Sequence, residues 1–416
     1  MATPITPTPH VSPSPPSHFA LFASGFRPFF LAAGIQGVLA MVVWVLLYGG
    51  RASLPITASP AVWHGHEMLY GYAMAAISGF LLTVVPNWTG QGKASGGKLI
   101  GLFSVWVIGR IAYWMSGYLP AAVVAVADLA YIPVLLLIIT PPLMAASNRR
   151  QMIFVPIMAM VFLGDLMVHL DSLGVTWLGS WLTAQRGLVL GLDMIMVLIT
   201  IMGGRVIPSF TSSTLGHGDP TIKVVQRPWV EKIILPATAL VALADLIFGF
   251  DHVISGTLAL IVGVLHGVRM SGWQTRRTLA NPILWVLHLG YAWLVVGFVL
   301  KGFAVLTPWI DPISAFHAQT VGAIGIITLG IMTRASLGHS GRVIRAAPSI
   351  TLAYILIALA ALVRVLGAAI APDVSLPYLG SLEVGLSGTL WALGFLLYTI
   401  HYTPIFLKPR IDGRPG

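Results

Sequence analysis

Apolar residues fill stretches of about twenty positions along this chain, divided by short connections rich in Gly, Pro, Ser and basic side chains. At 1.5 Å of rise per residue, about twenty helical residues cross the ~30 Å hydrocarbon core of a bilayer. Twelve such stretches are present, over 28–48, 62–86, 99–118, 121–145, 152–172, 183–206, 229–248, 251–273, 283–304, 314–334, 350–371 and 384–406. At that depth only a helix bonds every backbone group within its own segment. The pattern therefore predicts an all-α polytopic membrane protein with a single twelve-helix domain over 19–416. Residues 1–18, MATPITPTPHVSPSPPSH, are rich in Pro, Ser and Thr, bury nothing and read as a disordered tail.

Stretches 2, 6 and 10 each end in a polar, glycine-bearing segment: VVPNWTGQG, GGRVIPSFTSS and IMTRASLGHSG. They recur about every 125 residues, a spacing that would divide the twelve helices into three sets of four.

Composition supports the membrane assignment. The chain is 57% hydrophobic and 9% charged, against about 25% charged in an average soluble domain. Its net charge of +10 is explained by orientation, with no need of a nucleic-acid partner. Lys93, Lys98, Arg149, Arg150, Lys223, Arg227, Arg276, Arg277, Arg342, Arg345, Lys408, Arg410 and Arg414 all follow even-numbered stretches. The opposite loops carry Arg51 together with Asp171, Asp251, Asp311, Asp373 and Glu383. The positive-inside rule then puts both termini in the cytoplasm, as an even number of crossings requires.

There is no cysteine, which excludes disulfides, thiolate metal sites, iron–sulfur clusters and covalently attached haem. A metal or haem would be held by histidine, methionine, tyrosine or carboxylate. Of the twelve histidines, four share one predicted depth near the outer face: His64 and His66 in AVWHGHEMLYGY, His169, and His317. His252 lies at a similar level, and His266, His288, His339 and His401 lie toward the inner half, as do Arg205 and Arg334. Ionisable groups in a membrane cost several kcal/mol unless paired or functional. An interhelical hydrogen bond or interfacial anchor accounts for His10, His18, His217 and His401. The concentration of His64, His66, His169 and His317 at one level points to metal or haem ligation, because neutral imidazole suits copper, zinc and haem iron.

Neighbouring helical positions are 100° apart, so His64 and His66 diverge by about 200° on a regular helix. Either the backbone at Gly65 is irregular and both ligate one centre, or a regular helix presents them to two. Glu67 suits a carboxylate that orients a ligating imidazole, or a helix-start charge favoured by the macrodipole. Gly322, Gly325 and Gly330 allow close helix packing, and would also let a flat macrocycle lie against the backbone. Arg205 and Arg334 could pair with haem propionates or snorkel to the interface.

The segments FASGFRPFFLAAG, WHGHEMLYGYAMAAISGFLLTVVPNWTG, GGRVIPSFT, NPILWVLHLGYAW and HAQTVGAIGIITLGIMTRASLGHSGR resemble the NnrS family, in order and over nearly the whole chain. The resemblance implies a bacterial inner-membrane protein of about twelve spans. It implies non-covalent b-type haem and copper, and a role in the response to nitric oxide and nitrosative stress during denitrification. The family's histidines carry over as His64, His66, His169, His288, His317 and His339, and its arginines as Arg205 and Arg334. Which histidine meets haem and which meets copper is left open. The haem–copper pairing is similar to that of the haem–copper oxidase catalytic subunit, also of twelve spans, and favours two centres flanking helix 2. His288 lies deeper and would ligate haem iron from below or pack against it.

The expected function is to bind or convert nitric oxide, with an electron donor the sequence does not identify. Turnover would make the protein an oxidoreductase. A twelve-span secondary transporter and a copper or haem handling protein are the alternatives.

Overall fold

A computed structural model describes residues 20–145, 149–175, 179–216, 223–370, 374–376 and 379–414. The Pro-rich tail, with His10 and His18, and also His217, lie outside the described residues. Twelve long helices account for most of the described chain, with a two-residue antiparallel pairing of Ser375–Leu376 with Gly380–Ser381. They are α1 Phe26–Tyr48, α2 Pro60–Thr89, α3 Gly97–Trp114, α4 Ala121–Ala145, α5 Arg149–Ser172, α6 Ala184–Gly216, α7 Pro228–Phe248, α8 Val253–Met270, α9 Pro282–Leu306, α10 Pro312–His339, α11 Pro348–Ile370 and α12 Leu382–Leu407. Ten are long and apolar enough to cross a membrane. The other two are α3, with Lys98 and Arg110, and α7, with Glu231, Lys232 and Asp245.

Several helices begin where the chain pre-organises them. Pro60, Pro228, Pro282 and Pro312 occupy first-turn positions, where a missing N–H costs nothing. Ser59 accepts from the Val62 N–H and Asp311 from the Ile313 N–H, each satisfying an orphan donor. The polar segments expected to close helices 2, 6 and 10 are themselves largely helical. In α6 the helix runs through Pro208 to Gly216. Its 33 residues give a rod of about 50 Å, well beyond the ~30 Å core.

The three-sets-of-four layout is present in the packing. Of the ten apolar helices, α6, α2 and α10 are the most enclosed, with 100%, 83% and 67% of their apolar windows buried. These three touch one another. Between them lies an apolar cavity of about 50 Å³ lined by Ile77, Phe80, Ile199, Met202, Ile327 and Ile331. Around them the last helix of each set packs on the first of the next: α4 on α5, α8 on α9 and α12 on α1.

That last closure depends on Arg27. Its fully buried guanidinium donates to the carbonyls of Ile405 (3.1 Å), Phe406 (2.9 Å) and Lys408 (2.6 Å) at the end of α12. Those carbonyls have no partner within their own helix, so one cation caps α12 and ties it to α1.

Close approach does comparable work between α5 and α6. A Cβ on Gly187 would lie 2.4 Å from the Gly164 carbonyl oxygen, so the two backbones meet where neither has a side chain. The Tyr70 hydroxyl donates to the Gly187 carbonyl (2.9 Å) and fastens α2 onto the same crossing.

Both α2 and α10 change pitch immediately after a histidine. Glu67–Ala73 and Ala318–Gly325 are π-helical, following His66 and His317. Such widened turns rotate later side chains relative to earlier ones and are frequent at functional sites.

Arg27→Ala should lower the thermal unfolding midpoint of the detergent-purified protein, by the equivalent of about 1.5–3 kcal/mol for charged hydrogen bonds. Arg27→Lys should recover part of the loss. An unchanged midpoint for the alanine variant would show that α12 needs no such cap.

Candidate functional site: a histidine–carboxylate cluster beside a large cavity

The backbone from His64 to His66 is regular α-helix, so the two imidazoles diverge. His66 is fully buried on the side of α3, α4 and α5. Its Nε2 lies 2.9 Å from Asp165 Oδ1 and 3.0 Å from Asp128 Oδ2. The Nε2 of His169 lies 3.0 Å from the same Asp128 oxygen and 3.8 Å from the same Asp165 oxygen. Two imidazoles thus point at two shared carboxylate oxygens, and all four atoms fall within 4.8 Å of one another. Asp165 and His169 sit one turn apart on α5 and present one face together. The Tyr113 ring stacks on His66 with centroids 3.8 Å apart.

Glu67 stands next to this group and is fully buried. Its oxygens accept from Arg110 Nη1 (2.5 Å), Gln36 Nε2 (2.5 Å) and Trp114 Nε1 (2.6 Å), and His66 Nδ1 is 3.4 Å away. The helix start is capped by Ser59, eight residues earlier, so Glu67 is not needed there and has turned inward. Arg110 reaches past it to pair with Asp128 through Nη2. Gly71 leaves room for this network: a Cβ there would lie 3.0 Å from Gln36 Nε2 and 3.3 Å from Arg110 Nη1.

The charge balance is incomplete. Glu67, Asp128 and Asp165 supply three carboxylates and Arg110 supplies one guanidinium. With neutral imidazoles the cluster carries −2, an amount that burial in low dielectric penalises heavily. One divalent cation, or protons on both histidines, would neutralise it.

His64 faces the opposite way, into a cavity of about 1060 Å³ at the same end of the bundle. Its ring stacks on Trp44 with centroids 4.4 Å apart, and its Nδ1 is buried with no hydrogen-bond partner. His317 opens on the same cavity. Its Nδ1 lies 2.7 Å from the Ile313 carbonyl, which fixes Nδ1 as the donor and leaves Nε2 as a lone-pair nitrogen. Arg186 and Arg364 also line the space, as does His252. The His252 Nδ1 caps α8 by accepting from the Ile254 N–H (3.2 Å).

The other residues singled out from sequence lie elsewhere. Both ring nitrogens of His288 are hydrogen-bonded, Nε2 to Thr211 (2.8 Å) and Nδ1 to Thr275 (3.0 Å). His339 packs against Phe26, and its carbonyl accepts from Arg410. Arg205 borders a separate pocket of about 390 Å³ with Trp88, Arg150 and Phe210. Arg334 lies 3.7 Å over the Phe210 ring. Seventeen residues separate it from His317, or about 25 Å along α10, too far to reach the cavity.

Asp128, Asp165 and Arg110 are absent from the reading based on histidines, although the signal was available. Each is an ionisable residue inside an apolar stretch, and Asp165 and His169 have i,i+4 spacing.

Twelve helices around a buried histidine–carboxylate cluster and a large internal cavity define a polytopic membrane protein with a candidate metal centre. The chain belongs to the NnrS family: the family model described as NnrS protein matches residues 20–410. Its members are membrane proteins of the nitric oxide response. No curated protein matches the chain.

Removing Arg110 leaves three buried carboxylates with no permanent cation. Arg110→Leu should therefore destabilise the protein by about 3–5 kcal/mol. Adding Asp128→Asn should restore part of that stability, because one of the stranded charges is gone. Thermal unfolding of single and double variants measures this; a double variant no more stable than Arg110→Leu would mean the pairing contributes little.

Proposed function

We propose that this protein binds nitric oxide, or converts it, at a haem held in the large cavity, with copper or another divalent metal at the adjacent histidine–carboxylate cluster. The observation that carries this reading is the divergence of His64 and His66 from one regular helix toward two separate sites. A cavity of about 1060 Å³ reaches the upper end of the ~300–1,000 Å³ typical of organic ligand sites. Its donor set suits haem. His64 has a buried ring nitrogen without a partner, His317 has a tautomer that frees Nε2, and the macrocycle's carboxylates would find cations in Arg186 and Arg364. When bound, haem supplies an iron that takes diatomic ligands and changes oxidation state.

His66, His169, Asp128 and Asp165 would hold the second metal. Two imidazoles and two carboxylates without a thiolate suit Cu(II), zinc or iron(II), and a divalent ion cancels the −2 of the cluster. Glu67 would orient His66, and the chain Arg110–Glu67–Gln36 would hold Glu67 in place. Trp44 and Tyr113 restrain the two imidazoles by stacking. In this reading the histidine end of the bundle faces the outside of a bacterial inner membrane and both termini are cytoplasmic, in keeping with the distribution of Lys and Arg.

One observation favours a second reading for the cluster alone. Both ring nitrogens of His66 lie against carboxylates, which suits an imidazolium in a metal-free ion network that only holds helices together.

Purification without added cofactor, followed by an absorption spectrum and elemental analysis, tests both readings. The expected result is a Soret band together with about one transition metal per chain beyond the haem iron. His64→Ala and His317→Ala should lose haem and keep the metal, and His66→Ala and His169→Ala should do the reverse. Absence of both cofactors would overturn the proposal. Haem without metal would select the ion-network reading of the cluster. Loss of the same cofactor from His64→Ala and His66→Ala would refute two separate sites.

A further inference from the structure

A second group of buried charges lies on the far wall of the cavity from the histidine–carboxylate cluster. Asp193 on α6, Asp245 on α7 and Lys301 on α9 are 3%, 1% and 0% exposed. Lys301 Nζ pairs with Asp245 Oδ2 and sits 4.2 Å from the centroid of the Phe250 ring. The Asp193 and Asp245 carboxyl groups lie within hydrogen-bonding reach of each other. Asp193 Oδ2 and Asp245 Oδ1 are both buried, and no N–H or O–H of the described residues reaches either oxygen.

Two carboxylate oxygens brought together in low dielectric repel unless a proton lies between them. Lys301 is the one cation paired with them among the described residues. On α8, Ser255 adjoins Asp245 and donates to the Gly249 carbonyl (2.8 Å), and the Arg186 guanidinium donates to the Leu246 carbonyl (3.0 Å). Fully ionised, two carboxylates and one ammonium total −1; with one carboxyl protonated they total zero, the state burial favours.

The triad also communicates with open space, since Asp245 and Phe250 are part of the cavity lining. A structural ion pair would need one carboxylate for one lysine. Here there are two, and one of them borders the chamber.

We propose that Asp193, Asp245 and Lys301 form a proton-holding site that exchanges protons with the large cavity. In the loaded state Asp193 or Asp245 carries the proton, shared across the pair. On transfer, the carboxyl O–H bond breaks and the proton passes to water or to an oxyanion in the cavity. The triad changes from neutral to −1 and is reloaded from the same water. Such a site would serve any chamber in which a small nitrogen oxide gains electrons and must gain protons with them. The destination of the proton rests on the proposed function, but its presence does not, and it is read on protein without any added cofactor.

Infrared spectroscopy of the purified full-length chain tests the proposal. At neutral pH the wild type should show the carbonyl stretch of a protonated carboxylic acid, and that band should shift on transfer into D₂O. Asp193→Asn should abolish it. Asp245→Asn should abolish it as well, because the remaining carboxylate then pairs one-to-one with Lys301. Lys301→Met should retain it. A wild type without the band, a band that survives both asparagine variants, or one that fails to shift in D₂O would each overturn the proposal. Each asparagine substitution is close to isosteric, so either variant suffices where the other fails to fold.

Discussion

Arg110 places one guanidinium between Glu67 and Asp128, deep within an apolar bundle. Through those two carboxylates, and through His66, His169, Asp165, Gln36 and Trp114, it connects five consecutive helices. In lipid this has a particular consequence. Hydrocarbon tails are as apolar as leucine, so burying leucine against leucine gives little preference for one neighbour over another. A charge that must be neutralised by a group on a specific other helix does give that preference. The register of α2 against α3, α4 and α5 follows from it, and so does the inward turn of Glu67.

The same constraint recurs through the fold. Glu231 of α7 pairs with Arg269 of α8, which also donates to the Tyr291 hydroxyl of α9 and the Thr200 carbonyl of α6. His266 joins that network through Tyr291 (2.7 Å) and Thr238 (3.2 Å). Lys301 and Asp245 unite α9 and α7. Several intramembrane charges thus meet a counter-charge on another helix, and small residues let the backbones come close enough for them to meet. Where the balance fails, as it does at the His66 cluster and at Asp193, chemistry becomes the natural explanation for the surplus.

The central position of α2 makes it a partition. Its π-helical turn begins directly after His66, as that of α10 begins directly after His317. The two widened turns belong to the helices that enclose the cavity and face each other across the core of the bundle. A histidine on the last regular turn is held by an intact helix, while the residues beyond it are rotated away to pack elsewhere.

Much of this was legible in the amino-acid order. Twelve helical lengths, the three-by-four recurrence and the 200° divergence of His64 from His66 are one-dimensional properties, set by helix geometry and bilayer thickness. The reach of α6 to Gly216 was not, because Gly, Pro and Ser are turn formers only by tendency and the helix runs on through them. Nor did spacing reveal that His169 belongs with His66 and His317 with His64. Depth along the membrane normal can be read from position within a stretch, whereas azimuth around the bundle depends on which helices are neighbours. Asp128, Asp165 and Arg110 are 37 residues apart at most from their nearest partner in this set by chain order, yet meet in one cluster only once α3, α4 and α5 pack around α2. The sequence by itself determined that the protein lies in a membrane and where along its helix each histidine sits. The tertiary structure decided which charges share a site, because a buried charge finds its counterpart across helices and not along one.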